Sequence, residues 1–323
     1  VKVKLMSDRV NLGVFSGLLN LTWAGNSSLT TFTNGLLAIP KFGSLDPNGK
    51  SFKSTLTEGK LTVNSNVNLS DRNDMFNDIT MERELVTIAA GKTVTGTGKG
   101  LSMGSNSDAS SNSESGYINK GNVNISGGTT SRGVAGINVS YGRILNDTDG
   151  NVKVDNGAGL YATNDSRIEN KGTISLTGSG TGIAARGISE TKGSATFNYG
   201  NTGKIEIVNS GNITTGDTIF NASGVAENSS VGIYTEKSNV TSTGNITVGN
   251  KGIVLFGSDS TMNINSGNID YSNDGSLAYM ENSVLNYNIG GTLQTYSDPM
   301  LFINNSIVTM AQNDINVSNN GVA

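Results

Sequence analysis

Four serines, Ser238, Ser260, Ser283 and Ser306, stand 22, 23 and 23 residues apart, and each opens a similar step: Ser-Asn-Val, Ser-Thr-Met, Ser-Val-Leu, Ser-Ile-Val. A unit this short cannot bury a core alone, so copies must stack on one another. In the first two copies Gly244-Asn245-Ile246 and Gly267-Asn268-Ile269 follow, and then a Gly-led apolar stretch, Gly252-Ile253-Val254-Leu255 and Gly275-Ser276-Leu277-Ala278-Tyr279. Short segments that alternate apolar and polar with period two, separated by Asn and Gly, read as the strands of successive coils. The expected fold is all-β, a parallel β-helix. Coils of this length suit its right-handed form better than the tighter left-handed hexapeptide type.

The unit is looser upstream but recognisable. One full coil is Ser166 to Leu176 followed by Gly182-Ile183-Ala184-Ala185, and Gly159-Leu160-Tyr161-Ala162 lies one unit before Gly182. Earlier copies are Tyr117 to Ile125, and Val86-Thr87-Ile88 with Lys92-Thr93-Val94. The β-helix is therefore expected over residues 85–323, about ten coils stacked at ~4.8 Å into a rod of roughly 50 Å. Ile168, Ile174, Leu176, Ile183, Ile246, Ile253, Leu255 and Ile269 are expected to point inward. Residues 1–84 do not keep the period. They hold the single tryptophan, Trp23, and the apolar run Leu36-Leu37-Ala38-Ile39-Pro40, and are expected to form an irregular β cap that hides the first coil from edge pairing.

Composition narrows the chemistry. Hydrophobic residues make up only 35%, but 43 glycines restore the usual apolar share, which suits a narrow core renewed at each coil. Three prolines in 323 residues fit a ladder that needs nearly every N–H. The chain has no cysteine and no histidine, so disulfides, thiolate or His-ligated metal sites and Ser-His-Asp or Cys-His machinery are excluded. A net charge of -4 with no basic run argues against nucleic acid as a partner. Nor is there an 18-residue apolar segment to span a membrane as a helix. The stretch Val10 to Leu21, broken by Asn11, Gly13, Ser16 and Asn20, does not read as a signal peptide, and the chain is expected to be part of a longer protein.

Three local motifs were weighed. Ser189-Glu190-Thr191-Lys192 has the letters of a Ser-Lys catalytic pair, but Gly187 and Gly193 bracket it as a loop. The segment Ser44 to Ser51 ends like a phosphate-binding loop, yet carries Pro47 and precedes no helix. Asp270 to Glu281 has EF-hand spacing, but its flanks belong to the repeat, so a coil corner is expected there and no metal site is assigned. Aspartates and glutamates are otherwise scattered singly, and no enzyme activity and no cofactor are expected. Binding, in contrast, is expected where the repeat is broken: the cap, residues 71–83, the polar stretch 104–116 and an excursion around Tyr141-Gly142-Arg143. Arg72, Phe76, Arg83, Tyr141 and Arg143 are the candidate binding residues, because arginine and aromatic side chains dominate interface hot spots.

Asn170-Lys171-Gly172-Thr173-Ile174-Ser175-Leu176 and the segment Val86 to Gly98 resemble passenger domains of bacterial type V autotransporters. With Leu36 to Pro40 and Ser70 to Glu84 before them, they resemble more narrowly the large outer-membrane adhesins of fusobacteria, the RadD-like group. That resemblance implies a monomeric rod on the bacterial cell surface, secreted through a C-terminal β-barrel absent from this sequence. Its implied partners are host-cell surface proteins or glycans, or other bacteria. The alternatives are a β-helical polysaccharide lyase or hydrolase, which needs converging acids in a groove, and a purely structural spacer.

Overall fold

The computed structural model describes residues 19–24, 27–32, 59–63, 66–69, 85–98, 100–104, 116–127, 134–187, 191–192, 195–196, 205–311 and 313–317. Among them there is no α-helix, and the strands assemble into one twelve-stranded and two eight-stranded sheets plus three strand pairs. The large sheets are three faces of one solenoid, and each coil gives one strand to each face. Arg167–Asn170 lies on face I, Thr173–Leu176 on face II and Gly180–Arg186 on face III. The chain then returns to face I one layer higher. The fold is a parallel β-helix.

Parallel register places like residues above like. Ile144, Ile168, Ile207, Val240, Met262 and Leu285 form one inward column on face I. Val123, Val152, Ile174, Ile213 and Ile246 form one on face II, and Ile137, Leu160, Ile183, Ile233, Leu255 and Ala278 one on face III. All are buried. Branched side chains stacked at a strand's spacing fill the bore, and period-two alternation correctly placed Ile168, Ile174, Ile183, Ile246 and Leu255 in these columns. Parallel pairing also runs upstream of residue 85: Gly59–Val63 pairs with Leu85–Ile88, and Val67–Asn68 with Thr93–Thr97. Before these, Ser27–Phe32 pairs in parallel with Gly59–Val63, and Leu19–Ala24, which carries Trp23, closes face I as an antiparallel strand.

Two of the eight expected core residues differ. Ile253 is half-buried, because the face III strands send two successive residues inward, here Val254 and Leu255, and strict alternation through Gly252 puts the wrong residue inside. In the earlier coils the first of these two inward positions is glycine, and Gly182 shows why. A Cβ there would stand 2.3 Å from the Ile213 side chain and 2.6 Å from the Gly232 carbonyl. Ile269 packs against the core but is only partly covered, since its own strand is the last of face II.

The turn from face III to face I uses one residue in left-handed conformation per coil: Tyr141, Asn164, Lys237, Asp259, Asn282 and Asn305. The serines of the repeat sit beside that corner. Ser260 Oγ donates to the Ser258 carbonyl at 2.7 Å and accepts the Ser238 N–H of the coil below at 3.1 Å. Ser283 repeats both bonds, and Ser306 accepts the Ser283 N–H at 2.9 Å. Serine recurs because a hydroxyl can bond at once within its own corner and to the layer beneath.

At the turn from face I to face II a different ladder runs through the interior. Asn119, Asn146, Asn170 and Asn209 are fully buried, and each Nδ2 donates to the next Oδ1 at 2.8 Å. The series ends on Ser242 Oγ, 3.1 Å from Asn209 Nδ2. Buried amides are tolerated because each finds a partner above or below, whereas a single unpaired one would cost about 1–3 kcal/mol.

Candidate functional site

Sequence alone placed binding at breaks in the repeat. Arg72, Phe76 and Arg83, with residues 71–83 and 105–115, lie outside the described residues. At Tyr141-Gly142-Arg143 the expected excursion is corrected: Val134–Ser140 and Arg143–Asn146 are joined by two residues only. Tyr141 is buried at the left-handed corner with φ 55°, and the Gly142 N–H donates to Ser166 Oγ at 3.1 Å. Arg143 is half-buried on face I in register with Arg167. Neither residue projects, because the apparent irregularity is an ordinary corner with a tyrosine in the position usually held by Asn, Asp or Lys.

The break that does project was missed. Between Asn212–Thr214 on face II and Val231–Glu236 on face III the chain leaves the rod as a hairpin, Ile219–Phe220 paired antiparallel with Ala226–Asn228. Asn221 closes its tip, with Oδ1 accepting the N–H groups of Ser223 and Val225 at 2.9 and 3.0 Å. The base is anchored by the Thr218 hydroxyl on the Lys251 carbonyl and by a short bond between the Ser230 and Thr215 hydroxyls at 2.5 Å. What the hairpin lifts out is apolar: Phe220 is 41% and Val225 60% exposed. The signal was present as spacing, since 33 residues separate Asn209 from Ser242 where 24 separate Asn146 from Asn170. A second antiparallel pair, Thr191–Lys192 with Ala195–Thr196, leaves the preceding coil, and it places Lys192 on a strand rather than on the helix a Ser-Lys pair requires.

The outer surface of face III carries a column of aromatic rings. Tyr234, Phe256, Tyr279 and Phe302 occupy one register position in four successive coils. Their centroids are 4.7, 4.9 and 4.3 Å apart and their planes lie within 13° of parallel. Below Tyr234 the same position holds Ala184 and then Tyr161. Arg186, Glu236 and Tyr234 meet at the column's lower end. Arg186 Nε is 3.1 Å from Glu236 Oε2, and the Tyr234 hydroxyl donates to Glu236 Oε1. Burial, and then the Glu236 carboxylate that accepts its proton, push the Tyr234 hydroxyl up to about 12. The ion pair is half-exposed and adds little stability, so the cluster's consequence is an ordered polar border on an aromatic stripe.

Chemically this surface is equipped to bind, through ring edges, a guanidinium–carboxylate pair and a bare hairpin tip. Among the described residues no three His, Cys, Asp or Glu side chains gather as a metal site would require. The EF-hand-like segment is split between faces: Asp270 ends a strand of face II, Asp274 forms a left-handed corner, and Glu281 ends a strand of face III. Comparison with protein-family models, with curated proteins and with solved structures returns no match for this chain.

Proposed function

We propose that this chain is the rod of a bacterial surface adhesin, an autotransporter passenger that binds host-cell surface proteins or glycans, or other bacteria, where the repeat is interrupted. The reading is supported chiefly by the 219–228 hairpin: a corner that elsewhere takes a few residues is expanded into an anchored projection bearing two apolar side chains that the fold does not need. A solenoid offers the same shallow polar face many times, and an interruption is where it gains a distinct surface. The aromatic column on the outer side of face III adds a second distinctive surface, aromatic residues being favoured at binding hot spots. The stacked coils supply stiffness and reach, and no enzymatic step is assigned to them. Attachment to the outer membrane would come through a β-barrel outside this sequence; no helix among the described residues is long and apolar enough to cross a membrane. The test is attachment of the purified chain to epithelial cells and to partner bacteria, compared with Phe220→Ser/Val225→Ser and with the hairpin cut to a short corner. Attachment that falls at least tenfold supports the reading. Capture of neither kind of cell by the intact chain would move the spacer interpretation ahead of it.

A further inference from the structure

Face II is interrupted near the end of the described rod while faces I and III continue. Ile269–Asp270 is the last strand of its eight-stranded sheet, and the next strand on that side, Gly291–Gln294, pairs only with Asn313–Asn316. On the other faces the same layers remain joined, Met262 with Leu285 and Ala278 with Leu301. The two layers therefore part along one side only. Bonds from Asn286 Nδ2 to Asn263 Oδ1 at 2.8 Å and from Asn288 Nδ2 to Asn265 Oδ1 at 2.9 Å hold the corner shut up to that point. Gly291 then turns the strand away with φ 132°, and a Cβ there would meet nothing within 4 Å. The result is a cleft of about 260 Å³.

Its lining is aromatic and neutral-polar. Tyr271, Tyr287 and Tyr296 contribute rings, and Tyr296 meets Tyr271 edge to face at 5.7 Å and 89°. Asn268, Gln294 and Asn313 contribute amides; Asp270 is the single charged lining residue, and no lysine or arginine is present. Two polar atoms are left without hydrogen bonds, the hydroxyl of Tyr271, a residue only 5% exposed, and Oδ1 of Asn313. Burial pushes the Tyr271 hydroxyl up to about 12; the Gln294 backbone lies close enough to offset part of that rise, yet no bond of acceptable geometry forms. Both atoms belong to residues that line a cleft walled by rings, and buried polar groups left unpaired there call for a guest that brings hydroxyls.

We propose that this cleft binds one neutral sugar residue of a glycan, its apolar ring face against the tyrosines and its hydroxyls on Tyr271, Asn313 and the amides. Anionic sugars are disfavoured because Asp270 repels them and no cation compensates. A peptide strand added to the open edge is disfavoured too, since the exposed strand Ile269–Asp270 is two residues long and the Asn288 bond closes one end of the cleft. The proposal rests on the adhesin reading, in which glycans are among the partners, and gives that reading a ligand class.

The test is saturation-transfer difference NMR on the full 323-residue chain with glucose, galactose, mannose and N-acetylglucosamine, their disaccharides, glucuronate and a strand-forming heptapeptide. At least one neutral sugar should receive saturation, and glucuronate and the peptide should not. Tyr271→Phe should weaken sugar binding at least tenfold while leaving the melting temperature equal or higher, because it removes an unsatisfied hydroxyl. Asn313→Ala should weaken binding in the same direction, which keeps the test decisive if either variant folds poorly. Binding by none of the sugars, binding indifferent to both substitutions, or preference for glucuronate or the peptide would overturn the proposal. Trimming the 219–228 hairpin should leave sugar binding unchanged, so loss of cell attachment alone tests the adhesin reading and not this site.

Discussion

The coils before the hairpin and the coils after it share one backbone register but are locked by different chemistry. Upstream, the face I corner is held from inside by Asn119, Asn146, Asn170 and Asn209; downstream, the same column continues as Ser242, Ile264 and Tyr287, all buried. On face III the inward glycines Gly159, Gly182 and Gly232 give way to Val254 and Leu277, and on its outer side Tyr161 and Ala184 give way to the continuous aromatic column. At these positions upstream coils are therefore specified by amide bonds and glycine, whereas downstream coils are specified by apolar packing. The hairpin sits in the coil where one regime hands over to the other.

The sharpest way to break this contrast is to transplant one regime into the other. Asn170→Ala removes the middle rung, leaving Asn146 Nδ2 only its longer bond to the Thr173 carbonyl at 3.4 Å and Asn209 Oδ1 without its donor, so a loss of about 3 kcal/mol is expected. Hydrogen exchange should show lost protection concentrated in residues 143–176 and 205–214. Gly182→Val, which mimics the downstream coils, should cost about 2 kcal/mol, because the added methyls collide with Ile213 and the Gly232 carbonyl; urea unfolding measures it. Phe256→Ala breaks two ring stacks, each worth roughly 0.5 kcal/mol on this half-exposed face, and should lower thermal stability less than either. Phe220→Ser should leave stability within about 0.5 kcal/mol while reducing attachment.

Alkali should weaken the downstream coils as well. Tyr234, Tyr271 and Tyr287 all have hydroxyls raised above their ordinary value of 10.0, chiefly by burial. An acid whose folded value is raised gives stability that is fully present below the unfolded value and lost as pH climbs toward the folded one. Downstream coils should therefore soften between pH 10 and about 12. Phenolate absorbance, followed together with exchange of residues 231–296, measures that loss.

How much of this was legible depends on where the constraint lies. The serine spacing announced the coil because the hydroxyl serves a corner that must recur, and the inward isoleucines followed from alternation. Ile253 was misplaced because two successive residues face inward at that point, which a period of two cannot express. The asparagine ladder was visible as letters but not as a buried network, since Asn reads as a turn residue until its neighbours above and below are known. The hairpin was legible only as a long spacing, 33 residues between Asn209 and Ser242. The cleft was hidden because it arises from pairing that fails between layers, and pairing between layers is not a property of any one segment. The excursion expected around Tyr141 and Arg143 is instead the two-residue corner Tyr141-Gly142, with Arg143 on the strand that follows.

The central claim is that the rod presents and its interruptions bind. Its most direct test replaces residues 216–229 with a corner of the length found between Thr247 and Ile253, then measures attachment of the purified chain to cells alongside its circular dichroism and melting temperature. The account expects an unchanged β spectrum and melting temperature with attachment reduced at least tenfold. Attachment that survives this replacement but disappears when Phe256 and Tyr279 are changed to serine in an otherwise intact rod would place binding on the regular coils and contradict it.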